Sequence, residues 1–264
     1  MTRLVDNMEP ITRLYEWFGE QESKRTGEIT QPSNRFRPSE MGGCSRAIFY
    51  RMRGGLVVEP GRPHMYPISE DGDIGHDIVR WNLRKAGVEL DWLDFDEVTG
   101  KVVETQAFKY PMDIDGKEYL ISGRCDGKIK VHGRWMPLEI KTLNGFGFKY
   151  ILKAYNEGRI LEYLEDKYTK YLIQTVLCAD SLGYDETYLI IKDRSSCQVG
   201  MHDEANDFRE GLIIKNDPAL LERMKKKMRS IAKSLETNTE PPRAYTEKSR
   251  ECGWCPYKEM CWKG

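Results

Sequence analysis

Three of the seven cysteines fall in the last thirteen residues, as Cys252-Gly-Trp-Cys255-Pro-Tyr-Lys-Glu-Met-Cys261. This C-x2-C-x5-C spacing brings three thiolates within reach of one metal centre and leaves it a ligand short, so the fold has to deliver a fourth from elsewhere. Cys44 is the natural donor, because it stands outside the central elements and near a Gly-Gly pair that lets the backbone approach. The link would tie segments roughly 200 residues apart, for which chain entropy gives about 5 kcal/mol. On spacing alone, three plus one thiolates suit a cubane iron-sulfur cluster equally well as zinc or better, since zinc typically draws two ligands from each of two tight pairs, and both centres stay open. The odd count and the absence of an export signal argue against a disulfide framework. Cys125, Cys178 and Cys197 lie singly and are expected to be small buried hydrophobes.

With 264 residues, 39% hydrophobic and 31% charged, the chain can bury a sizeable core. It shows no linker or repeat that would divide it, so one elaborated domain is expected. No stretch approaches a membrane span, and Met1 to Pro10 mixes Arg3, Asp6 and Glu9, which predicts a cytoplasmic protein. Lysine plus arginine total 41 against 42 acidic residues, a net charge of -1 that excludes a protein coating nucleic acid nonspecifically. Local patches then matter more than the sum. The densest is Lys225, Lys226, Lys227 and Arg229, read as one side of a helix.

Periodicity predicts helices over residues 3–24 (Leu4, Ile11, Leu14, Tyr15 and Phe18), from an N-cap at Ser39 through Cys44 and Met52 to Gly54-Gly55, and over about 70–86. Strand texture follows over 101–112, 119–131 and 135–142, with turns at Asp115-Gly116 and His132-Gly133, reading as an antiparallel meander. Helices are expected at 147–156 and 162–182, strands at 186–192 and 197–201, and a helix from Asp217-Pro218 to about Glu236. This order suggests an α/β fold with a mixed central sheet flanked by helices.

The most informative segments are Ser122-Gly-Arg-Cys-Asp126-Gly and Pro137-Leu-Glu139-Ile140-Lys141-Thr. Strand alternation puts Glu139 and Lys141 on one face with Ile140 on the other, and a short hairpin brings Asp126 beside them. Converging charges are costly unless they bind something. Two carboxylates with a backbone carbonyl form an oxygen-rich site for magnesium or manganese, and Lys141 can orient or deprotonate a water for attack on phosphorus. Upstream stands Gly72-x3-His76, and downstream Gln174 lies on a predicted helix.

In this order the motifs resemble the RecB-like branch of the PD-(D/E)XK nucleases, in its iron-sulfur members, which include CRISPR-adaptation exonucleases and the nuclease domain of AddB. The resemblance covers about residues 38–264, leaving 1–37 as an N-terminal helical extension that could serve a protein partner. It implies a restriction-endonuclease-like core and a metal site of His76, Asp126, Glu139 and the Ile140 carbonyl. Lys141 would act on the attacking water, and Gln174 would position Lys141 or the DNA backbone. It further implies a [4Fe-4S] cluster on Cys44, Cys252, Cys255 and Cys261, joining the N- and C-terminal segments. A histidine ligand favours manganese relative to magnesium. The tyrosine the family places four residues after Gln174 is Cys178 here, so that ring's DNA contact is either absent or moved to Tyr171. The implied activity is a metal-dependent DNA exonuclease acting on single strands or duplex ends, in recombination, repair, phage DNA processing or CRISPR adaptation. From the charge pattern, Lys225, Lys226 and Arg229 are the expected DNA contacts, against a helix face that is simply solvated, with Lys149 and Lys153 beside the active-site strand and Tyr171 as further candidates. The alternative is a module that binds nucleic acid or a partner without cutting, around a structural iron-sulfur or zinc centre.

Overall fold

The computed structural model describes residues 9–24, 27–58, 65–96, 101–104, 107–203 and 208–263. In chain order, α1 (Glu9–Ser23) is followed by β1 (Arg35–Phe36), α2 (Pro38–Met41), α3 (Ser45–Arg53) and α4 (Met65–Lys85). Next come β2 (Leu90–Asp91), β3 (Leu93–Asp96), β4 (Lys101–Glu104), β5 (Ala107–Ile114), β6 (Lys117–Arg124), β7 (Gly127–Val131) and β8 (Arg134–Leu143). Helices α5 (Gly145–Asn156), α6 (Ile160–Lys167) and α7 (Thr169–Leu182) precede β9 (Glu186–Asp193), β10 (Met201–Asp203), β11 (Phe208–Glu210) and β12 (Leu212–Lys215). The order ends with α8 (Pro218–Glu236), α9 (Arg250–Gly253) and α10 (Lys258–Lys263).

Both expected turns form. Asp115-Gly116 and His132-Gly133 each take positive φ at two successive residues (53° and 81°, 48° and 78°), the geometry whose twist matches a two-residue hairpin. The hairpins nevertheless belong to different sheets, so the expected single meander is split. β5 and β6 lie in a three-stranded sheet ordered β1-β6-β5, whereas β7 and β8 lie in a mixed five-stranded sheet ordered β12-β9-β8-β7-β2. The chain crosses between them at Cys125 and Asp126. Gly127 makes the crossing possible, because a Cβ there would meet the Asp91 carbonyl oxygen and the Trp92 Cβ at 3.2 Å each, and its φ of +155° strains a side chain. β8 runs antiparallel to β7 and parallel to β9.

Alternation along β8 feeds two apolar layers. Leu138 and Ile140 pack with Val79 of α4, Ile129, Met136 and Ile190. On the other face Leu143, Leu189 and Ile191 join the large core built by Ile48 and Phe49 of α3, Ile173 and Leu177 of α7, and Met228 and Ile231 of α8. Each such buried side chain contributes about 1.5–3 kcal/mol, enough to fix both helix layers against the sheet.

Several local boundaries differ from the sequence reading. Ser39 does not cap one long helix. α2 stops at Gly42, where a Cβ would come 2.6 Å from the Lys170 Cγ, and Cys44 begins α3. The helix expected over 162–182 breaks at Tyr168 into α6 and α7. α1 rests on α4 and leaves Leu14 and Tyr15 exposed, so its stripe is only partly used; Leu4 and the side chain of Ile11 lie outside the described residues. Cys197 is exposed at φ +59° and is not a core residue, unlike Cys125 and Cys178, which are buried. α8 begins as read, with Asp217 accepting from the Ala219 amide at 2.8 Å and Pro218 in its first turn.

Two glycines of α4 make contrasting predictions. A Cβ on Gly72 meets nothing within 4 Å, whereas one on Gly75 would lie 2.9 Å from the Thr142 Oγ1 of β8. Gly72→Ala should therefore raise stability by about 0.5–1 kcal/mol through helix propensity. Gly75→Val should lower it by about 1–3 kcal/mol by wedging α4 off the sheet. Denaturant unfolding of the two variants checks both signs.

Candidate active site and cysteine cluster

Glu139 is only 2% exposed, yet it is a carboxylate on the central strand. Its Oε1 accepts from the Lys141 ammonium, which is on the same strand face as expected, and Lys141 Nζ donates onward to Gln174 Oε1 at 3.0 Å. The Tyr171 ring on α7 covers the ammonium, its centroid 5.3 Å from Nζ. Glu139 Oε2 is buried without a hydrogen-bond partner.

Asp126 occupies the crossing between the two sheets and ties three elements together. Its Oδ2 accepts from the Ile140 amide of β8 at 2.6 Å, and its Oδ1 lies 2.9 Å from the His76 Nδ1 of α4. Arg80, one turn beyond His76, donates to the Asp126 carbonyl at 3.2 Å and pairs with Asp77. The sequence reading missed Arg80. Its i+4 spacing from His76 was the available signal. At the other end of the site Arg194 reaches Asp71 of α4 at 2.6 Å while its amide donates to the Leu143 carbonyl at 2.7 Å.

The electrostatics follow from this packing. Burial pushes Asp126 up, but the hydrogen bond and charge of His76, with the Ile140 amide and Lys141, outweigh it and hold the carboxyl below the usual range. Burial also raises Glu139, to about 7, with the Asp126 charge adding and Lys141 opposing. For Lys141 burial works against the charge, yet Glu139 and Asp126 more than compensate and lift its pKa above the ordinary value. Lys141 is thus held as an ammonium.

The four expected cysteine ligands line one open cavity of about 790 Å³. Burial, with the neighbouring Cys44, Cys252 and Cys261 adding, pushes the Cys255 thiol up to about 11. Arg46 donates to the Cys261 Sγ at 3.7 Å, and Arg243 to the Cys261 carbonyl at 2.6 Å. The segment after α3 meets the C-terminal segment directly, since the Val58 amide donates to the Pro256 carbonyl at 2.8 Å. Among the described residues, no three His, Cys, Asp or Glu side chains converge tightly enough to hold a single metal ion, here or around Asp126.

The basic helix is not uniformly outward. Lys227 turns inward and donates to the carbonyls of Met41 and Gly43 at 2.7 and 2.6 Å, fixing the loop that presents Cys44. Lys225 pairs with Asp180 of α7 at 3.6 Å and Arg229 with Glu222 at 2.9 Å, while Lys226 is exposed. Lys149 and Lys153 lie exposed on α5, the latter 3.8 Å from Glu157. No helix among the described residues is long and apolar enough to cross a membrane.

The chain is similar to several solved structures. SSO0001 aligns with a TM-score of 0.49 and 13% identity, over 97% of this chain and 98% of that one. The alkaline exonuclease LHK-Exo from Laribacter hongkongensis aligns with a TM-score of 0.44 and 13% identity, over 84% and 94%. LHK-Exo in complex with dAMP gives 0.43 and 13%, over 85% and 94%. No family model matches the chain, and no curated protein matches it.

The Glu139–Lys141 pair yields a stability prediction. Lys141→Met leaves a buried carboxylate without its cation and should cost about 3–5 kcal/mol. Adding Glu139→Gln removes the orphaned charge, so the double variant should be more stable than Lys141→Met alone. Urea unfolding of the four proteins of this cycle measures the coupling.

Proposed function

We propose that the chain is a metal-dependent phosphodiester hydrolase, specifically a DNA exonuclease acting on single strands or duplex ends, with residues 38–264 as the nuclease domain and 1–37 as an extension. The observation carrying this reading is Glu139 Oε2, a carboxylate oxygen buried without a partner beside Asp126, His76 and Lys141. A buried carboxylate oxygen without a partner is costly, and oxygen and imidazole donors of this kind suit a divalent cation once His76, Asp126 and Glu139 draw closer than they stand here. Asp126, Glu139, the Ile140 carbonyl and His76 would hold it, and it would supply Lewis acidity toward a phosphate oxygen and a water of lowered pKa.

Between Glu139 and Gln174, with its pKa raised by the carboxylates beside it, the Lys141 ammonium would orient the attacking water and offset charge gathering on phosphorus. Gln174 positions Lys141, and Tyr171 shields it from solvent.

The cysteines fit a [4Fe-4S] centre on this reading. The four cysteines line one cavity, and the neighbouring Arg46 and Arg243 would offset the negative charge of a thiolate-bound cluster.

Glu139→Gln and Lys141→Ala, each verified as folded by circular dichroism, should lose about 10²–10⁴-fold in hydrolysis of end-labelled single-stranded DNA with manganese. Their DNA affinity in calcium should change little. Near wild-type cutting by either would remove the assignment. Protein purified without oxygen should be brown with about four irons per chain. Cys44→Ala and Cys261→Ala should lose iron and melting temperature together, whereas a colourless protein with one zinc would favour the binding-module alternative.

A further inference from the structure

We propose that Phe146 and Tyr150 of α5, with Lys149 and Lys153 between and beyond them, form a base-stacking platform for an unpaired nucleic-acid strand. The inference rests on the hydrolase reading above and names the form of its substrate.

Residues 146, 149, 150 and 153 share one face of α5, opposite the buried Phe148, Ile151 and Ala154. Phe146 is 75% exposed and Tyr150 53%, and their ring centroids lie 6.2 Å apart. Two large rings turned to solvent side by side contribute little to the core. Bases stack on such rings through their π-faces whatever the sequence, and the interleaved lysines complement the phosphates that such a strand carries.

The placement links the platform to the reacting groups. β8 ends at Leu143 and Asn144 caps α5, its side chain accepting from the Gly147 amide at 2.8 Å, which fixes the first turn. A Cβ on Gly147 would lie 2.9 Å from the Tyr168 hydroxyl, so this turn rests against Tyr168. Tyr168 in turn stacks on Tyr171 at 5.2 Å and 27°, and Tyr171 covers the Lys141 ammonium. Gly147, Tyr168 and Tyr171 thus link the helix that carries the exposed pair to the buried lysine. The basic face of α8 is the weaker candidate for the strand, because Lys225, Lys227 and Arg229 are engaged within the protein.

Binding is measured in calcium, so no cutting is needed. Phe146→Ala/Tyr150→Ala, altering only exposed side chains, should lower affinity for a base-bearing single strand at least about tenfold, with the salt slope unchanged because no phosphate contact is lost. Phe146→Trp/Tyr150→Trp should retain affinity. An abasic strand of equal length should bind the wild type about tenfold more weakly than the base-bearing one, and the alanine variant should no longer distinguish the two. Equal binding of abasic and base-bearing strands by the wild type, or unchanged affinity in the alanine variant, would overturn the platform. Failure of the active-site assignment is separate: it would appear as cutting by Glu139→Gln, whatever the strand affinities.

Discussion

A single carboxylate in a gap between strands organises this molecule. Asp126 sits where the chain leaves one sheet and enters another, and there it accepts an amide from β8 and engages a histidine from α4. Its backbone carbonyl is held by Arg80. Without these bonds the crossing would expose unpaired polar backbone against a buried layer, a cost comparable to a lost hydrogen bond for each group. The same contacts bring the helix on one face of the sheet into register with the charges on the other. The same bonds thus serve both the crossing between sheets and the placement of these charged groups.

That coupling explains the cost the protein accepts in its centre. Glu139 and Lys141 remain buried polar groups, and a hydrophobic pair of similar size would usually be as stable or more so. Their neighbours support the lysine: Gln174 and Tyr171 from α7 close over Lys141, and Asp126 favours its charge while working against that of Glu139. One oxygen of Glu139 is left over.

How much of this was legible follows from what each signal encodes. Period-two alternation placed Glu139 and Lys141 together, because it depends only on the local backbone. The turn glycines marked both hairpins for the same reason. The division of those hairpins between two sheets was not legible, since strand texture does not say which neighbour a strand pairs with. Likewise Lys225, Lys226 and Lys227 read alike in sequence, and only packing decides that Lys227 turns inward to two carbonyls. The break at Gly42 came from a close approach by Lys170, a contact remote in the chain, while Ser39 carried a local capping signal that the packing overrode.

The near-neutral charge joins the surface to this interior. A chain with net charge -1 cannot hold a polyanion by its overall field, and a strong surface patch would slow release of what it binds. Stacking on exposed rings supplies affinity that does not scale with charge, and it acts only on bases that are unpaired. The first turn of α5, fixed by Asn144 and seated on Tyr168, joins those rings to the end of the strand that carries the buried ammonium. On the proposed reading, stacking would select the form of the strand, while the buried charges would act on its backbone.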